Sequence, residues 1–387
     1  MRASDERKAS TMSSLSPVDL DAAAPVPEPI PHKNLRVVAI GGGTGLSTLL
    51  RGLKRYTATP AGTNSTSEQV VRTPCLVRDL TAVVTVTDDG GSSGRLREDF
   101  KMLPPGDIRN CLVALSEDEH LLSKLFQYRF EHGDLGGHSF GNLFVAALSH
   151  ITGDFAQAVQ MSSQILATRG RIFPATNKNV TLSARMDDGT LVHGETNITA
   201  SRRSIVELML NPADCDPLPG TLEAIANADL ITLGPGSLYT SLITNLLMRG
   251  IPEALAGSRA TRVFVCNLMT QANESLGLSA AQHIEKILEH TGSTRRPIFD
   301  YALINTAPIS PSLHDKYALE GQQPIEADLL RIRSLGVEPI VGNFVHEGDV
   351  LRHDQDRVAD CLLELAFGAG DWAGRGMPER QSTKAKE

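Results

Sequence analysis

Short apolar runs alternate with stretches of helical spacing from residue 35 onward. The first run, LRVVAI, is β-branched and stops at Gly41-Gly42-Gly43-Thr44-Gly45 before LSTLLRGLK, which predicts a strand, a glycine turn and a helix. A second buried strand is expected in LTAVVTV from Leu80, ending in Asp88-Asp89-Gly90-Gly91-Ser92-Ser93-Gly94. Between them the polar TATPAGTNSTSEQ reads as a surface loop. Over about 103–167 the segments NCLVALS, HLLSKLFQYRF and GNLFVAALSHI place apolar residues at helical spacing, so a helical segment is expected beside the sheet. Over about 178–200 the pattern alternates around Asp188-Gly189, the signature of a β-hairpin standing apart from it. Strands return at 229–233, at 262–267, at 301–305 and, more weakly, near Val341. The fold class expected is therefore α/β, a mainly parallel sheet with helices on both faces, interrupted by a helical segment and a hairpin insertion.

Composition narrows the class of ligand. The chain has 387 residues, 41% hydrophobic and 21% charged, enough for a substantial core in one large or two modest domains. A net charge of -8 argues against nucleic acid or an anionic membrane as a partner, since both draw on clustered excess Lys and Arg. No run approaches the roughly 18 consecutive apolar residues of a membrane span. The five cysteines are scattered with no CxxC pair, which fits a reducing cytoplasm. Cys111 and Cys266, inside apolar runs, read as small buried hydrophobes. Residues 1–33, rich in Ala, Ser and Pro, and residues 373–387 read as disordered tails around one domain at 34–370, and the acids of the first count against a transit peptide.

The candidate chemistry lies at the strand ends. Three successive glycines let backbone approach a ligand, and the helix that follows offers unpaired N–H groups to an anion, with the Thr44 hydroxyl beside them. The turn is not a full dinucleotide fingerprint, because Leu46 stands where the third glycine belongs, and no Gly-Lys-Ser/Thr follows. Asp88 and Asp89, at the end of the second strand, suit either Mg²⁺ held against phosphates or hydrogen bonds to sugar hydroxyls; the alternative is that one caps the next turn and the other is solvated. Arg95 and Arg97 offer positive charge nearby. A third turn, Gly234-Pro235-Gly236-Ser237, precedes SLYTSLITNLL, where Ser237 can cap the helix or meet phosphate. These turns should share one rim of the sheet. Candidate ligand contacts are Gly42, Gly43, Thr44, Gly45, Asp88, Asp89, Gly90, Ser92, Ser93, Gly234, Gly236 and Ser237, with Asn142 and Asn267 from later motifs. Asp107 in PPGDIRN reads first as a helix cap, and His138 in GHSFGN as a loop histidine of no fixed role. No catalytic residue is assigned.

The runs VVAIGGGTGLSTLLRGLK, VTVTDDGGSSGRLR, LPPGDIRNCLVALS, LFQYRF, GHSFGNL, GPGSLYTS, VCNLMTQ and Arg352-His353-Asp354 together resemble the YvcK-like gluconeogenesis-factor family, and more distantly the CofD-like 2-phospho-L-lactate transferases. The resemblance implies a Rossmann-like, three-layer fold and binding of UDP-sugars such as UDP-N-acetylglucosamine or UDP-glucose. It implies a non-catalytic role linking carbon supply to cell-wall precursor synthesis and cell shape, with a cell-wall precursor enzyme as candidate partner, a homo-oligomer as candidate assembly and no required cofactor. Thr44 and Arg352 carry over as UDP-sugar contacts. The sequence departs from the family after Met269-Thr270-Gln271, where 272–276 read Ala-Asn-Glu-Ser-Leu in place of Pro-Gly-Glu-Thr-Asp.

Two rival readings use the same rim. A 2-phospho-L-lactate transferase would need a platform for a deazaflavin ring, whereas aromatics are 4% of the chain and its only tryptophan, Trp372, borders the C-terminal tail. An NAD(P)-dependent oxidoreductase is opposed by the imperfect fingerprint.

Overall fold

The structure is a computed structural model that describes residues 34–58, 75–117, 119–201, 203–272, 274–292 and 298–368. Both expected tails and nearly all of the polar loop after Thr57 lie outside the described residues.

The strands are β1 (Leu35–Gly41), β2 (Val77–Val84), β3 (Arg171–Pro174), β4 (Thr181–Met186), β5 (Leu191–His193), β6 (Ile205–Asn211), β7 (Leu230–Leu233), β8 (Thr261–Val265), β9 (Tyr301–Asn305), β10 (Glu338–Gly342), β11 (Val345–Glu347) and β12 (Leu351–His353). Seven of them form one parallel sheet in the order β10-β9-β8-β7-β1-β2-β3. The near-continuous apolar runs of β1, β2 and β7 are what a sheet covered on both faces demands, and the residues 37–40 of β1 are all at most 2% exposed.

The order of strands fixes where a ligand can enter. From β1 the chain moves outward through β2 to β3, then returns to place β7 on the other side of β1 and builds away from it through β8, β9 and β10. The direction of winding therefore reverses between β1 and β7, and the loops leaving their carboxyl ends part to leave a crevice.

Helix α1 (Gly43–Lys54) follows β1 and buries Leu46, Leu49, Leu50 and Leu53, a single stripe at helical spacing. Helix α2 (Gly91–Phe100) follows the turn after β2, and the helical segment expected over about 103–167 consists of α3 (Gly106–Leu115), α4 (Glu119–Gln127), α5 (Phe140–Thr152) and α6 (Phe155–Ile165). HLLSKLFQYRF does not stay helical to its end. Tyr128–Phe130 turn back instead, with Phe130 N–H donating to the His138 carbonyl and Phe140 N–H to that of Tyr128.

The hairpin around Asp188-Gly189 is β4–β5, extended to three antiparallel strands by β6 on the far side of β4. SLYTSLITNLL opens with a π-helical turn at Leu238–Ile243 before a short α-helical one at Thr244–Leu246. Cys111, Cys215, Cys266 and Cys361 are buried and not joined in disulfides, and Cys75 is exposed. Among the described residues no helix is long and apolar enough to cross a membrane.

Candidate ligand site at the switch point

A cleft of about 320 Å³ opens where the turns after β1 and β7 part. One wall is the glycine turn and α1, contributing Gly42, Gly43, Thr44, Gly45 and Thr48. Its floor is Pro235, Gly236 and Ser237 after β7 and residues 267–271 after β8. The remaining wall is Tyr317, Gln322, Leu351, Arg352 and His353.

Gly43 adopts φ +64°, a left-handed conformation that other residues reach only with strain. A β-carbon on Gly45 would run into the carbonyl oxygen of Pro235, so the two turns touch through bare backbone. The first turn of α1 has no acidic residue of its own and no cap from Gly42; the Asp107 carboxylate reaches the Gly43 backbone, and the helix start beyond that contact faces the cleft. Across the cleft, Arg352 Nη1 donates to Thr44 Oγ1 at 2.9 Å. Ser47 and Thr48 hydroxyls both donate to the Thr44 carbonyl, at 3.0 and 2.8 Å, and hold that residue's backbone in place. His353 donates from Nε2 to the Cys266 carbonyl at 3.0 Å, and burial pushes its pKa down to about 4, so it is a neutral anchor beside Arg352. Asn267 pins Gly236 from both sides, accepting from its N–H at 3.1 Å and donating to its carbonyl at 2.8 Å.

Ser237 does not cap the helix it precedes. Its hydroxyl accepts from Gln271 Nε2 at 3.0 Å, and Glu274 takes the capping place, its carboxylate accepting from Tyr239 N–H at 3.1 Å and Thr240 Oγ1 at 2.9 Å. Gly234 stands behind the cleft, its N–H donating to the Ile40 carbonyl at 3.0 Å.

The other flank of the β1 turn is acidic. Asp89 caps the short helix Glu195–Ala200, accepting from Glu195 N–H at 2.8 Å and from Thr196 N–H and Oγ1 at 2.8 and 2.6 Å. Asp88 accepts from Gly90 N–H at 2.9 Å. Asp107 is the second residue of α3, and its carboxylate accepts from the Gly43 backbone instead of capping its own helix; burial, opposed by that bond, raises its pKa to about 6. Burial and then Asp88, Asp107 and Glu274 push Glu195 well above the usual carboxylate range. Ser92, Ser93 and Asn142 are buried here, Asn142 donating to Ser92 Oγ at 3.0 Å and Ser92 donating to His138 Nδ1 at 3.0 Å. The Arg97 guanidinium turns inward to the Thr87 and Val180 carbonyls and to Asn179, while Arg95 bonds the Gly136 carbonyl. Among the described residues no three His, Cys, Asp or Glu side chains converge to hold an ion. Asp88 and Asp89 each already accept from backbone N–H groups, Asp88 from Gly90 and Asp89 from Glu195 and Thr196.

The model of the family described as 2-phospho-L-lactate transferase CofD matches residues 37–345. A protein of Halalkalibacterium halodurans named gluconeogenesis factor is 46% identical over 334 residues, 86% of this chain and 97% of that protein. The gluconeogenesis factor of Bacillus subtilis is 44% identical over 332 residues, 85% of this chain and 98% of that one. The chain belongs to the CofD-like family, in its gluconeogenesis-factor branch. A crystal structure of a UPF0052 family member from Bacillus halodurans superposes with a TM-score of 0.78 at 46% identity, covering 86% of this chain and 100% of that one.

Within this CofD-like fold, Gly42, Gly43, Thr44, Gly45, Gly236, Ser237, Asn267 and Arg352 come together on the cleft. Asp88, Asp89, Gly90, Ser92, Ser93 and Asn142 gather on the acidic flank, outside the cleft lining. Asp107, Glu274 and Gln271 were not singled out as site residues. Asp107 and Glu274 act on backbone far away in sequence, and only the motifs PPGDIRN and VCNLMTQ marked their neighbourhoods.

Proposed function

We propose that this chain is a UDP-sugar-binding regulator, in which occupancy of the switch-point cleft favours a form that engages a cytoplasmic enzyme of cell-wall precursor synthesis. The observation that carries the reading is the Thr44–Arg352 hydrogen bond across the cleft, in the first turn of α1. A diphosphate there meets helix N–H groups on one side and a guanidinium on the other, the pairing that gives charge-assisted bonds their strength. The apolar surface of Leu268, Met269 and Leu351 along the same cleft suits the uncharged part of such a ligand. Regulation requires that the two forms differ in affinity for the ligand, since a ligand that binds both equally shifts nothing.

The alternative is phosphotransfer to a deazaflavin, favoured by the description of the matching family model. Calorimetry with UDP-N-acetylglucosamine, UDP-glucose, NADH and a deazaflavin separates the readings. We expect saturable UDP-sugar binding that weakens by about tenfold or more in Arg352→Ala, from loss of a charge-assisted bond, and by less in Thr44→Ala. Deazaflavin binding that requires Mg²⁺, with no UDP-sugar binding, would favour the transferase.

A further inference from the structure

One wall of the cleft does not belong to the main core. Leu268, Met269, Leu313 and Leu351, with Ile309, Tyr317 and Val345 packed around them, form an apolar cluster separate from the one that surrounds the sheet. Leu313 and Tyr317 come from the helix Pro311–Ala318, Val345 and Leu351 from the hairpin β11–β12. The two pieces are tied to each other directly. Tyr317 Oη accepts from Leu351 N–H at 3.0 Å, Lys316 Nζ donates to the Asp349 carbonyl at 2.6 Å, and Ser310 N–H donates to Glu347 at 2.7 Å.

Where these pieces meet the rest of the molecule the chain returns to the main core, at Ile304 before them, at Ile325 between them and at Phe344 before the hairpin. One side chain holds both stems: Asn305 Nδ2 donates to the Ala307 carbonyl at 3.0 Å, and Asn305 Oδ1 accepts from Phe344 N–H at 3.0 Å. Beyond those stems, Arg352 to Thr44 is a direct hydrogen bond from the hairpin to the glycine turn.

We infer that residues 309–322 and the hairpin 345–352 form a cap that opens and closes over the cleft as one body, hinged at its junctions with the main core, two of which Asn305 clamps. Opening parts Leu313 and Leu351, with Ile309, Tyr317 and Val345, from Leu268 and Met269 on the floor and leaves the main core buried, so it should cost far less than global unfolding. Ligand bound between Thr44 and Arg352 would hold it shut, which rests on the reading of the cleft as the ligand site and supplies the second form that the regulatory proposal needs.

Hydrogen exchange of the full chain, followed by mass spectrometry, tests the cap before any ligand is added. We expect amides of 311–318 and 345–353 to exchange at a common rate, roughly tenfold or more faster than those of β1 and β7. Exchange of either segment at the rate of the sheet, or of the two at unrelated rates, overturns the cap. Leu313→Ala, which thins the separate cluster without touching the cleft lining, should speed both segments by roughly tenfold and leave β1 and β7 unchanged. A response confined to 311–318 would mean that helix and hairpin move independently and would also overturn it. UDP-N-acetylglucosamine, at a concentration shown by calorimetry to saturate, should slow both segments, and saturating ligand without slowing would rule out closure on the ligand. Absence of any binding would instead remove the proposed function, while the first two results still decide the cap.

Discussion

Asp107 illustrates how a side chain can leave its own helix to serve another turn. As the second residue of α3 it looks like a cap, yet its carboxylate reaches Gly43, whose left-handed backbone it helps to hold. Because its pKa is raised to about 6 in the folded protein from an ordinary 3.8, the native state binds the extra proton, and this contribution to stability is lost as pH rises from about 4 through 6. His353 runs the other way. Its pKa falls to about 4, so its contribution is present above the usual 6.5 and lost as pH falls toward 4. Asp107→Asn keeps an oxygen to accept from Gly43 and removes the charge. We expect urea midpoints of this variant to fall less than those of the parent between pH 4 and 7, and anionic ligands to bind it more tightly at pH 7.5, by several-fold at most since screening moderates the charge. Thr44 was legible from the glycine turn, but Arg352 only through family resemblance, because a contact spanning 308 residues leaves no local pattern. The same holds on a smaller scale for Glu274, which caps a helix 35 residues upstream.

At the scale of elements, the buried strands were readable because a parallel sheet covered on both faces needs apolar runs, which β1, β7, β8, β9 and the second half of β2 supply and the edge strand β10, EPIVG, supplies more weakly. β3 escaped notice since RIFP is four residues with an arginine and a proline. The π-helical turn at Leu238–Ile243 was also invisible, for its apolar spacing differs little from that of an α-helix over so short a span. Helix α1 owes its position to two glycines. Gly45 lets it touch the turn after β7, and Gly52 lets it pass against the Gln355 carbonyl at the start of the helix Gln355–Phe367. Neither neighbour is a flexible side-chain end that can swing aside. Gly52→Ala should cost about 1–3 kcal/mol in urea unfolding with ligand affinity nearly retained, whereas Gly45→Ala should lower both stability and affinity.

For the molecule as a whole, a seven-stranded open sheet has two edges to protect. Just past β3, Ala175 N–H donates inward to the Val84 carbonyl, so by the alternation of a parallel ladder Pro174 stands where the outward donor would be and has no N–H to offer; the residue is also buried, so that end of the edge is covered.

The central place of β1 bears on how the chain is made. Arg36 finds its partner Asp229 only 193 residues later, and the latch of Arg352 on Thr44 arrives 308 residues after the turn it closes. On the ribosome, one flank of this interior strand must therefore stay unpaired until β7 is made, more than half-way through synthesis, a window in which the nascent chain is most open to misassembly. A chain ended before residue 352 would carry every strand of the sheet yet lack both the latch and the helix Gln355–Phe367, whose Leu362 and Leu363 are fully buried in the main core, so the last stretch to be made completes the cleft and the core together.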